Sequence, residues 1–219
     1  MINTVIFDMD GLLINSEPLW VSAIQEVFAS VGVEISPELA METTGLRTVE
    51  VIDYWYDIFK WPGKSKEQVA KEIIDSIEDR VRANGVLMEG AGSILEYFRQ
   101  KSIKIGLASS SPLQFIHFIL QHFHLKSYFH AISSAEHEPY GKPHPAVYLS
   151  CARQLNSNPL QCLAFEDSIN GMIAAKAARM KVVVVPEEYN RTNPRYVLAD
   201  KQLESLLQFT DALFSKLSA

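Results

Sequence analysis

VIFDMDGLLINSEPLW, residues 5–20, sets a strand against a pair of acids. Thr4-Val5-Ile6-Phe7 is a short apolar run of the kind covered on both faces in a parallel sheet. It leads straight into Asp8 and Asp10, one residue apart, with Gly11 behind them. Ligands of open α/β sheets bind in the crevice beyond the C-terminal ends of the strands, which is where these carboxylates fall. Two carboxylates so close repel each other unless a cation or a shared proton relieves them, so the pair points to a metal site. Taken alone, Asp8 as a turn cap and Asp10-Gly11 as an ordinary Asp-Gly turn account for the same residues equally well.

Composition bounds what the pair can mean. A chain of 219 residues can bury one large core, or one core with a small appended unit. The formal net charge of −6, without a Lys/Arg cluster, argues against nucleic acid as a partner. No basic segment followed by a long apolar one opens the chain, and no run of 18 apolar residues occurs, so neither export nor a membrane span is expected. A monomeric cytoplasmic protein is the expectation. Cys151 and Cys162 read as small buried hydrophobes rather than as a disulfide. His122 and His124 fall on different sides of a helix, so no zinc site is expected.

Outward from the acidic pair, the periodicity changes twice. From Pro18 to about Asn84 it is helical throughout. PLWVSAIQEVFASVG runs to Gly32, SPELAMET starts at Ser36-Pro37, TVEVIDYWYDIF has Thr48 as a cap, and SKEQVAKEIIDSIEDRVRANG runs from Ser65 to Gly85. After Gly90, helix and strand alternate: GSILEYFRQ then IKIGLASSS, PLQFIHFILQHF then FHAISS, PAVYLSCARQL then LQCLAFEDS, INGMIAAKAARM then KVVVVP. That alternation predicts a doubly wound parallel sheet with helices on both faces, an α/β fold of Rossmann type. The first strand must join that sheet, so the helical block is an insert. The expected division is residues 1–16 with 87–219 as the core, and 17–86 as a helical bundle laid over it. DKQLESLLQFTDALFSKL reads as a closing amphipathic helix, and Trp55 and Trp61 read as core of the insert.

All strand ends of such a sheet face one crevice. The second strand ends in Ser109, with Ser110 next, ahead of Pro112 at a helix start, where a hydroxyl and free N–H groups suit a phosphate. Lys142 stands between Gly141 and Pro143 after the third strand, and Glu166-Asp167 ends the fourth. Each piece has a plain alternative: an N-cap serine, a solvated loop lysine, a helix cap by Asp167 or Ser168. Their order at four successive strand ends does not. Several carboxylates suit Mg²⁺, and hydroxyl, amide and lysine suit phosphate oxygens, so the set describes phosphoryl transfer.

DMDGLLINSEP, LASSS, GKPHP and FEDSINGM resemble, in order, the four motifs of the haloacid dehalogenase superfamily, in its phosphatase and phosphomutase branch with a helical cap after the first motif. The resemblance spans essentially the whole chain. It implies Asp8 as nucleophile, forming an aspartyl-phosphate, and Asp10 as general acid and then general base. It implies Mg²⁺ held by the Asp8 carboxylate, the Asp10 main-chain carbonyl and Asp167, with Glu166 assisting, and phosphate held by Ser109, Ser110 and Lys142. TTGLRTVEVIDYWY and YGKPHPAVYL are similar to bacterial phosphatases of hexose 6-phosphates, 2-deoxyglucose 6-phosphate among them. Thr44 and Arg47 in the cap turn are then candidates for sugar contacts, with Trp20 and Glu17 near the hinge or the cap's inner face.

The same resemblance leaves a sugar phosphomutase as the alternative. Aligned without a gap, Trp20 falls where β-phosphoglucomutases carry a cap histidine, which favours hydrolysis because an indole cannot accept a proton. Lys71 falls near a cap lysine that mutases use on the distal phosphate, which cuts the other way.

Overall fold

Thr4–Phe7 forms strand β1, every residue of it buried. The other strands are β2 (Lys104–Ser109), β3 (Ala131–Ser134), β4 (Cys162–Glu166), β5 (Lys181–Val184) and β6 (Lys201–Gln202). In this computed structural model, residues 1–43 and 45–219 are described, apart from the side chain of Met41. Among the described residues these six strands make one sheet in the order β3-β2-β1-β4-β5-β6, all pairs parallel. Phe7 lies beside Leu107 of β2 and Phe165 of β4, so the register delivers Asp8, Ser109 and Glu166 to one edge. Chain order reverses about β1, and a crevice opens there.

The alternation of side chains along β1 sorts the helices onto two faces. Val5 and Phe7 join the cluster of α5 (Ala91–Gln100), α6 (Leu113–His122) and α9 (Asp211–Ser218), while Ile6 joins that of α7 (Ala146–Gln154) and α8 (Ile169–Ala177). Phe7 stacks on Phe165 at 4.7 Å between ring centres. Burial of each such side chain contributes about 1.5–3 kcal/mol. Cys151 and Cys162 are free and buried on the second face.

Between β1 and α5 lie α1 (Glu17–Ala29), α2 (Pro37–Met41), α3 (Thr48–Phe59) and α4 (Lys66–Asn84). They share an apolar cluster that contains Ile24, Phe28, Trp55, Trp61 and Ile73. Ser36 and Ser65 cap their helices by accepting from Leu39 N–H and Gln68 N–H. Thr48, expected as a cap, is instead the first residue of α3: Glu50 reaches back to accept from Arg47 N–H at 3.0 Å, which makes Arg47 the cap position. The chain enters and leaves this unit through two adjacent segments, with Ile14 bridged to Leu87 and Met88 N–H bonded to Leu13 O at 2.9 Å. Ala23 of α1 and Ile77 and Val81 of α4 extend the first-face cluster, alongside Phe115 and Ile119 of α6.

The tail departs from the expected single helix. Asp200 N–H and Leu203 N–H bond to Val182 O and Val184 O at 2.9 and 2.8 Å, so its first residues add β6 to the open edge of β5. Only Asp211–Ser218 is α-helical, capped by Thr210. Unpaired edge groups captured a segment whose apolar spacing reads as helix. No helix among the described residues is long and apolar enough to cross a membrane.

Candidate active site

Asp8 continues β1, its N–H bonded to Phe165 O at 3.0 Å. Lys142 follows the loop after β3 and is 3 % exposed. Its Nζ donates to Asp8 Oδ1 and to Glu166 Oε1, each at 2.6 Å. Tyr148 of α7 donates to the same Glu166 oxygen at 2.6 Å and sets its ring 5.0 Å from Lys142 Nζ. Glu166 Oε2 accepts from the N–H groups of Asp167 and Ser168 and from Ser168 Oγ. Ser168 also caps α8, accepting from Gly171 N–H at 3.0 Å. With Ser168 doing the capping, the Asp167 carboxylate is left facing the cavity.

Charge in this cluster is unbalanced. Burial pushes the Asp8 carboxyl up to about 8; Lys142 pulls it down, and Glu166 and Asp10 push it further up. Burial lowers Lys142, but Asp8 and Glu166 outweigh that and hold it above the ordinary lysine value. Burial, with Glu166, Asp8 and Glu17 around it, holds Asp167 well above the carboxylate range. One lysine does not offset so many acids.

Asp8, Glu166 and Asp167 each offer a carboxylate oxygen, the three atoms within 4.8 Å of one another. An all-oxygen, highly anionic donor set fits Mg²⁺. Gly11 lets the Asp167 carboxylate approach the β1 loop. Its φ of +72° suits glycine, and a Cβ there would collide with Asp167 Oδ2. Both Glu166 oxygens are already held by hydrogen bonds, whereas Asp8 and Asp167 line the cavity, so those two are placed to touch a cation and Glu166 to brace them.

Asp10 is surrounded by donors. Ser16 Oγ and Trp20 Nε1 donate to its Oδ1 at 2.7 and 2.9 Å; Ser111 Oγ donates to Oδ2 at 2.7 Å, with Ser109 Oγ at 3.5 Å. Trp20 therefore joins the insert directly to an acidic residue of the loop after β1. Ser16, Ser111 and Tyr148 were not singled out from the sequence. Ser16 precedes Glu17-Pro18 like an ordinary helix cap, yet its side chain makes no cap bond and turns to Asp10 instead. Tyr148 carries no local signal at all: its partners are 6 and 18 residues away, on other elements.

A cavity of about 70 Å³ joins this acidic floor to the insert. Asp8, Asp10, Ser109, Ser110, Lys142 and Asp167 line its lower half. Glu17 and Trp20 line it too, and its upper wall is mostly apolar, with Val21, Ile24, Leu46, Val51 and Ile73 beside Thr43 and Thr48. Ser110 Oγ is spent on Gly45 O at 2.8 Å. Thr44 lies outside the described residues. Arg47 is not brought to the cavity: its guanidinium turns away to Glu138 O and Glu50. Lys71 is 73 % exposed and paired with Asp75 of its own helix, so the one feature that favoured a mutase does not reach the site.

Comparison with known proteins gives the family and the fold. A family model described as haloacid dehalogenase-like hydrolase matches residues 5–185. The chain is 46 % identical over 206 residues to hexitol phosphatase B of Escherichia coli, covering 94 % of this chain and 93 % of that one. It is 30 % identical over 184 residues to a phosphorylated carbohydrates phosphatase of Thermotoga maritima, covering 80 % of each. Its structure is similar to that of a β-phosphoglucomutase from Clostridium difficile, with TM-score 0.88 and 25 % identity, over 100 % of this chain and 97 % of that one.

Proposed function

Because the chain belongs to the haloacid dehalogenase-like hydrolases, we propose that it is a Mg²⁺-dependent phosphatase of small phosphorylated sugars, hexose 6-phosphates such as 2-deoxyglucose 6-phosphate among them. The observation that carries this is the floor of the cavity: Asp8 held by Lys142, two residues from an Asp10 that four donors surround. In this assignment Asp8 attacks phosphorus in line and forms an aspartyl-phosphate, and Asp10 protonates the departing sugar oxygen. Asp10, now a carboxylate that Ser16, Trp20 and Ser111 stabilise, then takes a proton from the water that cleaves the intermediate. Ser109 and Lys142 hold the phosphoryl oxygens, and Lys142 offsets repulsion between Asp8 and the incoming dianion. Ser110 contributes through its backbone N–H, its hydroxyl being engaged elsewhere. Asp8, the Asp10 carbonyl and Asp167 would hold Mg²⁺, which would supply the positive charge that this cluster lacks.

Residues 17–86 are assigned the role of a cap. The closed cavity is far below the roughly 300–1,000 Å³ of sites that take drug-sized ligands, so the insert must lift to admit substrate. The segments that pair at Ile14 and Leu87 are the place for that hinge. Val21, Ile24 and Ile73 offer a hydroxyl no partner, which supports a substrate with a C–H face on that side, such as a deoxysugar. The assignment is tested by phosphate release over a panel of sugar, hexitol and nucleotide phosphates with Mg²⁺. Absence of release from every member would overturn it. Hydrolysis rather than isomerisation is expected because Trp20 spends its one N–H on Asp10 and Lys71 is remote. With β-glucose 1-phosphate and catalytic glucose 1,6-bisphosphate, inorganic phosphate should outpace glucose 6-phosphate; the reverse would make the enzyme a mutase.

A further inference from the structure

Arg47 and Glu50, at the start of α3, both reach across to the loop that ends in Lys142. Arg47 Nη1 donates to Glu138 O at 2.9 Å and lies 3.4 Å from Ala135 O. Its Nη2 holds Glu50 Oε1 at 2.7 Å, and that oxygen also faces Gly141 N–H at 3.4 Å. The guanidinium is largely shielded, with 16 % of the side chain exposed, so its charge-assisted bonds are poorly screened.

Gly141 makes the contact legible. Its backbone lies outside the left-handed region, so conformation does not demand glycine. A Cβ at this position would stand 2.5 Å from Glu50 Oε2, 3.0 Å from Arg47 Nε and 3.1 Å from Arg47 Cγ. The obstacle to a side chain is the Arg47–Glu50 pair of the insert, and the next residue is the lysine that bridges Asp8 and Glu166.

We propose that Arg47 and Glu50 are positioning residues: docked on residues 135–141 when the cap is closed, they hold Lys142 in place, so that closure and placement of the phosphate-binding lysine are a single event. This rests on the cap assignment above and replaces the sugar contact expected of Arg47. A sugar contact would alter the ranking of substrates. A latch alters all of them together.

The test uses the full chain with Arg47→Ala, Arg47→Lys, Gly141→Ala and the double variant Arg47→Ala/Gly141→Ala. Each is assayed with Mg²⁺ on p-nitrophenyl phosphate and on the sugar phosphate that the wild type turns over best, beside its thermal midpoint. Arg47→Ala should lower kcat on both substrates by roughly tenfold, the size expected for loss of a charge-assisted bond. Arg47→Lys should recover little, because an ammonium cannot hold Glu138 O and Glu50 in one plane. Gly141→Ala should lower kcat similarly with an unchanged thermal midpoint, since an open cap relieves the collision. The double variant should be no worse than Arg47→Ala, because without the guanidinium Glu50 swings aside. Wild-type kcat in Gly141→Ala, additive losses in the double variant, or a loss confined to the sugar phosphate would overturn the latch. If the wild type hydrolyses neither substrate, the phosphatase assignment fails and amide exchange decides the latch: faster exchange over residues 135–141 in both single variants supports it, and unchanged exchange overturns it.

Discussion

Asp8 and Asp10, with only Met9 between them, meet different surroundings. Asp8 is buried against Lys142 and Glu166, whereas Asp10 accepts from Ser16, Trp20 and Ser111. An amide at position 8 cannot attack phosphorus, so Asp8→Asn should release no phosphate; near-native turnover by this variant would end the assigned mechanism. Asp10→Asn should lose roughly 10²- to 10⁴-fold in kcat, the usual worth of acid–base help. Trp20→Phe keeps the ring that packs on Phe115 and removes one donor to Asp10. It should lower kcat on the order of tenfold at nearly unchanged stability, read by steady-state rates beside a denaturant curve.

Individual elements rest on contacts that can be tested without touching the chemistry. Gly106 in β2 faces α7, and a Cβ there would lie 2.5 Å from Cys151 Sγ and 2.8 Å from Leu155 Cδ1. Gly106→Ala should therefore cost about 1–3 kcal/mol by overpacking. Ser65→Ala removes the cap of α4 and should cost about 1 kcal/mol, with kcat unchanged, since Ser65 is remote from the cavity. Urea midpoints measure both. The helices of the insert and the alternation after Gly90 were legible because burial of one face imposes a period of 3.6 or 2 on the residues themselves. Tail residues 200–203 were not, because the open edge of β5 claimed them and no local pattern records that demand.

At the scale of the molecule, acidic groups from β1, β4 and the loops after them converge on one point, and folding brings them together against their repulsion. A bound divalent cation should relieve it and stabilise the whole chain. At about a hundredfold excess over its dissociation constant, Mg²⁺ is worth about 2.7 kcal/mol, or roughly 5–10 °C in a chain of this size. Asp167→Asn should melt higher than wild type without Mg²⁺, because a carboxyl that burial and its acidic neighbours push up must take up a proton to fold and an amide need not, and it should lose most of the Mg²⁺ response. An equal Mg²⁺ shift in both proteins would remove Asp167 from the metal site. EDTA should abolish wild-type phosphate release, and Mg²⁺ restore it. By itself the sequence determined the strand-and-helix rhythm, the insertion of four helices after β1, and the acids, serine and lysine at the strand ends, since each of these is written in residues close together along the chain. Only the tertiary structure decided that Trp20 and Ser16 attend Asp10, that Tyr148 braces Glu166, and that Arg47 grips the loop before Lys142 instead of lining the cavity. Those pairings join residues up to 91 positions apart, and a directional bond from a side chain to a distant segment leaves no period in either segment that makes it.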